Sequence, residues 1–108
     1  MNLNEFQKLS RRTKPKDIMP SSLMQNAALG IAGEAGEVAD IIKKSMYQCH
    51  PLDKEKLVEE LGDVLYYIAM MADVLCYGLD EIAEKNIEKL RRRYPDGFDP
   101  ERSIHREV

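Results

Sequence analysis

Apolar residues recur at helical spacing along most of this chain. Between Leu23 and Tyr47, Leu23, Ala27, Ile31, Val38 and Ile41 all fall within roughly 60° of Glu34 at about 100° per residue. A second stripe joins Leu57, Leu61, Val64, Ile68, Met71 and Leu75. No stretch shows the period-two alternation of a strand. The punctuation predicts a short helix from about Leu3 to Arg12, then a loop over Lys14–Pro20, where Pro15 and Pro20 bias their predecessors away from helix. Ser21 or Ser22 N-caps a long helix from about Leu23 to Tyr47. His50-Pro51 breaks it, and Asp53 caps the next, which runs to about Tyr77. Gly78 stops that helix, Asp80 caps a last one from Glu81 to about Tyr94, and Pro95-Asp96-Gly97 turns into a polar tail. The expectation is one all-α domain over residues 1–108, a four-helix bundle type whose two long helices are antiparallel because about six residues join them.

Two carboxylate pairs interrupt the apolar stripes. Glu34 and Glu37, and likewise Glu60 and Asp63, stand three residues apart, one turn above each other on one helix face. Glu34 lies inside its stripe and Glu37 at the edge; Glu60 and Asp63 border theirs, with Tyr67 one turn beyond Asp63. An unpaired buried carboxylate takes up a proton rather than stay charged. No Lys or Arg is expected on those faces, so four converging carboxylates call for a divalent cation. All-oxygen donors suit Mg²⁺, with Mn²⁺ as a substitute, and not zinc or copper. Antiparallel pairing brings the two pairs to similar heights on facing helices. Gly30, Gly33 and Gly36 each cost about 1 kcal/mol in a helix interior, which predicts close approach of another backbone or a ligand.

Such a cation would hold a phosphate chain and activate a water. The last helix adds a polar stripe of Asn86, Lys89 and Arg93, with Lys85 beside it, suited to phosphate oxygens. Tyr67 serves either as a ligand contact or as a core aromatic with a wet hydroxyl. Glu59 points about 100° away from Glu60 and reads as solvent-facing. Cys49 and His50 adjoin a turn without partners and read as loop residues.

With 44% hydrophobic and 32% charged residues the composition is that of a soluble globular protein. A net charge of −3 gives no argument for nucleic acid. Cys49 and Cys76 have no CxxC spacing. The N-terminus lacks the basic start and apolar core of a signal peptide, and the longest apolar run, Tyr66–Ala72, is too short for a bilayer. A cytoplasmic location is expected, with no membrane partner.

The chain resembles the MazG-like family of all-α nucleoside triphosphate pyrophosphohydrolases over roughly Leu23 to Phe98. The resemblance rests on Gly33-Glu34-Ala35-Gly36-Glu37 and Glu59-Glu60-Leu61-Gly62-Asp63-Val64, with 22 residues between Glu37 and Glu60. Asn86-Ile87-Glu88-Lys89-Leu90 and Arg93-Tyr94-Pro95-Asp96-Gly97-Phe98 match the family's third block. Spacing alone leaves open any metal-assisted phosphoryl transfer. The resemblance implies cleavage of a (deoxy)nucleoside triphosphate between its α- and β-phosphates, in nucleotide-pool sanitation or control. It implies Mg²⁺ held by Glu34, Glu37, Glu60 and Asp63, with Glu34 or Glu37 as proton acceptor, and Tyr67, Asn86, Lys89 and Arg93 on the substrate. Some relatives select a pyrimidine base with tryptophans, which this chain lacks; either base selectivity is broad, or it rests on Phe6, Tyr47 or a neighbouring chain. The alternatives are a phosphoribosyl-ATP pyrophosphohydrolase and a non-catalytic helical oligomerisation module. Ile41 and Ile42, and Tyr66, Tyr67 and Ile68, cannot all face one small core, so a homodimer or homotetramer is expected.

Overall fold

A long helical hairpin forms the body of the molecule, and a corner of shorter helices closes one end. The structure, a computed structural model, describes residues 1–106. Its helices are α1 (Leu3–Ser10), α2 (Pro20–Tyr47), α3 (Lys54–Val74), α4 (Leu79–Arg93) and α5 (Pro100–Ile104), with a 3₁₀ turn at Arg11–Thr13. Among the described residues there is no strand, so the all-α expectation holds.

Several boundaries differ from the expectation for local reasons. The long helix α2 starts at Pro20, not Leu23, because proline at the first helical position needs no N–H partner; Met19 takes the cap position and neither serine does. Asp53 caps α3 as expected, accepting from the Lys56 amide at 3.0 Å. Asp80 does not cap the following helix. That helix begins earlier, at Leu79, with Gly78 in the cap position. The tail is not simply polar coil, since Asp99 caps a fifth, short helix through the Glu101 amide.

The hairpin seam is shallow. Leu23 and Ala27 of α2 bury against Met70 of α3, flanked by Ile18, Tyr66, Tyr67, Met71 and Val74. A second cluster joins Ala69 and Ala72 to Leu79 of α4, with Phe6 of α1 packed on it. Phe6 is therefore half-buried against this cluster. The α4 axis leaves α3 at 99°. As a result the radius of gyration is 17.0 Å, against about 13 Å for a compact domain of this length. Large apolar side chains stay outside, among them Leu29 at 74% exposed, with Met46, Val58 and Leu61.

Candidate metal centre

The carboxylates meet across the hairpin. One oxygen each from Glu34, Glu60 and Asp63 lies within 4.8 Å of the others. Glu37, one turn along α2 from Glu34, is exposed and stands outside this group of three. The order of burial is not the one expected: Glu60 is the most enclosed at 6% exposed, Glu34 is half-buried and Asp63 exposed. Lys56 explains part of this. It stands four residues before Glu60, and its Nζ reaches Glu60 Oε1 at 3.4 Å.

The expectation that no cation stands on these faces is thus corrected. Lys56 immediately precedes Leu57, the first residue of the second apolar stripe, and stands one turn before Glu60, within i,i+4 reach. Its ammonium pKa is raised, chiefly through the hydrogen bond to Glu60. One ammonium does not balance the group. The Glu34 pKa is raised above the ordinary glutamate range, first by a hydrogen bond with Glu60, then by lost solvation and by repulsion from Glu60, Asp63 and Glu37. The shared hydrogen bond and the neighbouring like charges both favour the protonated form of Glu34 relative to an isolated glutamate. Lys44, which feels Glu37, is committed to Asp40 at 2.8 Å.

The donor set fits a hard divalent cation. It is all oxygen, which suits Mg²⁺ or Mn²⁺, and its three oxygens already lie within 4.8 Å of one another. One turn beyond Asp63, Tyr67 packs α3 against α2. A Cβ added at Gly30 would fall well inside contact distance of Tyr67 Cγ, Cδ1 and Cε1, so the ring lies directly on the α2 backbone. Close approach is therefore the role of Gly30, four residues before Glu34. Gly33 and Gly36 face open space, with no atom of the described residues within 4 Å of an added Cβ. Tyr67 packs edge-on to Tyr66, whose hydroxyl accepts from Thr13 Oγ1 at 2.8 Å.

The residues of the third block are not brought to the carboxylates within the chain. Asp63 lies eleven residues before the end of α3, about 16 Å along its axis, and α4 departs near a right angle from that far end. Asn86 is exposed and Lys89 half-buried on α4. Arg93 Nε is enclosed but has no hydrogen-bond partner among the described residues. Lys85 instead sits over the Tyr77 ring at 5.8 Å. Tyr47 is largely exposed beyond the other end of the hairpin.

Lys56 was readable from its spacing to Glu60. The remaining structural residues that the sequence reading missed are Asn4 and Gln7, whose partners lie more than 60 residues away and leave no local signal.

No single helix is long and apolar enough to cross a membrane among the described residues. No solved structure matches the chain. Among curated proteins it is 34% identical over 73 residues to the "Gene 37 protein" of Mycobacterium phage L5, covering 64% of each chain. It is 39% identical over 41 residues to YvdC of Bacillus subtilis (strain 168), covering 38% of this chain and 39% of that one. The chain thus spans less than two thirds of the length of these curated relatives. The family profile described as the MazG nucleotide pyrophosphohydrolase domain matches residues 23–98, a segment holding both carboxylate pairs and the third block. MazG domains are generally divalent-metal dependent, in keeping with the acidic cluster. By that match the chain belongs to the MazG family of nucleotide pyrophosphohydrolase domains.

Proposed function

We propose that the chain is a Mg²⁺-dependent nucleoside triphosphate pyrophosphohydrolase, converting a triphosphate and water to the monophosphate and pyrophosphate. The observation that carries this reading is the approach of Glu34, Glu60 and Asp63 oxygens to within 4.8 Å across two helices. Such an arrangement is poorly neutralised by Lys56 alone and suits a cation brought with a phosphate chain. When bound, Mg²⁺ supplies charge neutralisation for the phosphates and water activation.

The chain's own residues then divide the work. Glu34, Glu60 and Asp63 bind and fix the cation. Glu37 or Glu34 takes the proton from the attacking water; that Glu37 is exposed one turn from Glu34 and outside the group of three supports giving it this role. Tyr67 orients a phosphate or sugar oxygen from one turn beyond Asp63. Asn86, Lys89 and Arg93 hold phosphate oxygens not reached by the cation. Because α4 leads away from the hairpin of its own chain, these side chains reach a carboxylate cluster by self-association. The exposed Leu29, Met46, Val58 and Leu61 and the extended shape support a homodimer or homotetramer. The substrate is a canonical or damaged (deoxy)nucleoside triphosphate, and the role is nucleotide-pool sanitation or control in the cytoplasm.

The test is pyrophosphate release from a panel of canonical and damaged dNTPs and NTPs, with and without Mg²⁺. Metal-dependent formation of monophosphate plus pyrophosphate is expected. Silence across the panel from folded protein would refute the reading, in favour of the phosphoribosyl-ATP substrate first and a non-catalytic module second. Light scattering after gel filtration checks the assembly.

A further inference from the structure

The N-terminal helix lies outside the segment matched by the family profile, yet it holds a buried polar side chain with three hydrogen bonds to distant parts of the chain. Gln7 is only 2% exposed. Its Nε2 donates to Asp73 Oδ1 at 2.8 Å and to the Tyr77 carbonyl at 3.0 Å, and its Oε1 accepts from the Leu79 amide at 2.8 Å. One turn earlier, Asn4 Oδ1 accepts from the Asp80 amide at 3.0 Å. Asp73 is itself held by Arg11, whose Nε and Nη2 donate to it at 2.8–3.0 Å.

Leu79 and Asp80 are the first residues of α4, where free amides need acceptors. In α1, α3 and α5 the cap residue supplies its own side chain, from Asn2, Asp53 and Asp99. In α4 the cap residue is Gly78, which has none. Its backbone, at φ −79° and ψ 147°, suits any residue, so glycine is not needed for conformation. A Cβ there would meet Asn4 Oδ1 at 3.0 Å. Gly78 therefore makes room for a remote cap. A local Ser or Asp would stabilise α4 equally well, but it would not tie the helix to anything. Beyond its first turns, α4 has little else to fix its direction: it packs on α1 and the end of α3, and Ile87 and Leu90 are exposed.

We propose that Asn4 and Gln7 are positioning residues: by capping α4 from α1 they set the angle at which the Asn86, Lys89 and Arg93 stripe leaves the hairpin. The consequence for catalysis rests on the phosphate role given to that stripe above. The decisive variant exchanges the remote cap for a local one, Asn4→Ala/Gly78→Ser, in the full chain. Gln7→Met, which keeps length and loses all three hydrogen bonds, accompanies it.

Two readouts apply. Steady-state kinetics on the best triphosphate substrate should show KM raised about tenfold, as expected for loss of interactions of cap strength, with kcat little changed. Pulsed EPR distances between spin labels at Glu59→Cys and Arg91→Cys, in a Cys49→Ser/Cys76→Ser background diluted with unlabelled chain, should be narrow with the native cap. They should broaden in Asn4→Ala/Gly78→Ser, although helix content by circular dichroism is preserved. An unchanged distance distribution and KM in that variant would overturn the proposal and reduce the contact to an ordinary helix cap. Should Gln7→Met fail to fold, the locally capped variant decides alone. If the unmodified chain hydrolyses no triphosphate, the phosphate reading fails, while the label distances still decide whether α1 fixes α4.

Discussion

The carboxylate end of the hairpin and the α1–α4 corner hold their polar groups in opposite ways. At the corner, Gln7, Asp73, Arg11 and two helix-end amides satisfy one another within the chain. At the carboxylates, Glu34, Glu60 and Asp63 gather with one ammonium among them, and the Glu34 pKa is raised by its hydrogen bond with Glu60, lost solvation and the surrounding like charges. A closed network specifies geometry; an open one leaves capacity for a ligand. The contrast separates a closed polar network from one with uncompensated charge, which is what marks the second as the candidate site.

The largest effect should come from removing a ligand at the open site. Glu60→Gln or Asp63→Asn should cut pyrophosphate release by more than about 100-fold, the range reached by losing only outer-sphere partners of a metal, with circular dichroism unchanged. If turnover survives, the open site is not the catalytic one. Next comes the contact that seats the hairpin beside it. Gly30→Ala would gain about 1 kcal/mol in helix propensity, but forcing a methyl into the Tyr67 ring costs about 1–3 kcal/mol. A net fall in Tm is expected, largely recovered in Gly30→Ala/Tyr67→Leu; a higher Tm for the single variant would show that the ring gives way freely.

The pH dependence sharpens the comparison further. Glu34 has a folded pKa above its unfolded value, so between the two the folded state binds more protons and stability falls as pH rises. Calorimetry in EDTA should show Tm declining from just above the ordinary glutamate range, about 4.3, through the raised Glu34 value. Saturating Mg²⁺, which binds the ionised carboxylates, should flatten or reverse that slope. A flat profile in EDTA would mean that the cluster is effectively solvated. The smallest effect is expected for the Asp40–Lys44 pair elsewhere on α2, an exposed i,i+4 contact at 2.8 Å. Asp40 has a lowered pKa, so its contribution is present above its unfolded pKa and lost as pH falls through the folded one. Lys44→Ala should leave Tm at neutral pH unchanged within error.

How far the sequence carried the account divides along the same line. The hairpin was legible because periodic packing and a short connection fix which faces meet; of the four carboxylates expected to converge, Glu34 meets Glu60 and Asp63 across it, while Glu37 stands outside the group. The charge balance of that group was misjudged because Lys56, about 40° from Glu60 on the wheel, was overlooked. The close approach predicted for three glycines holds at Gly30, where Tyr67 can be matched to it; Gly33 and Gly36 face open space. The corner was not legible. Gln7 in an amphipathic helix looks like a surface residue, and Gly78 looks like a helix stop, until tertiary contact puts them together. Likewise, nothing in the Asn86–Arg93 spacing announced that α4 would turn away at 99°.

The central claim is that the open carboxylate site exists to hold a divalent cation with a triphosphate. Its most direct test is a Mn²⁺ titration followed by EPR in the presence of an α,β-methylene triphosphate analogue, on the native chain and on Glu34→Gln. The account predicts saturable Mn²⁺ binding by the native chain that is lost or greatly weakened in Glu34→Gln. Equal binding by the two proteins, or none by the native chain, would contradict it.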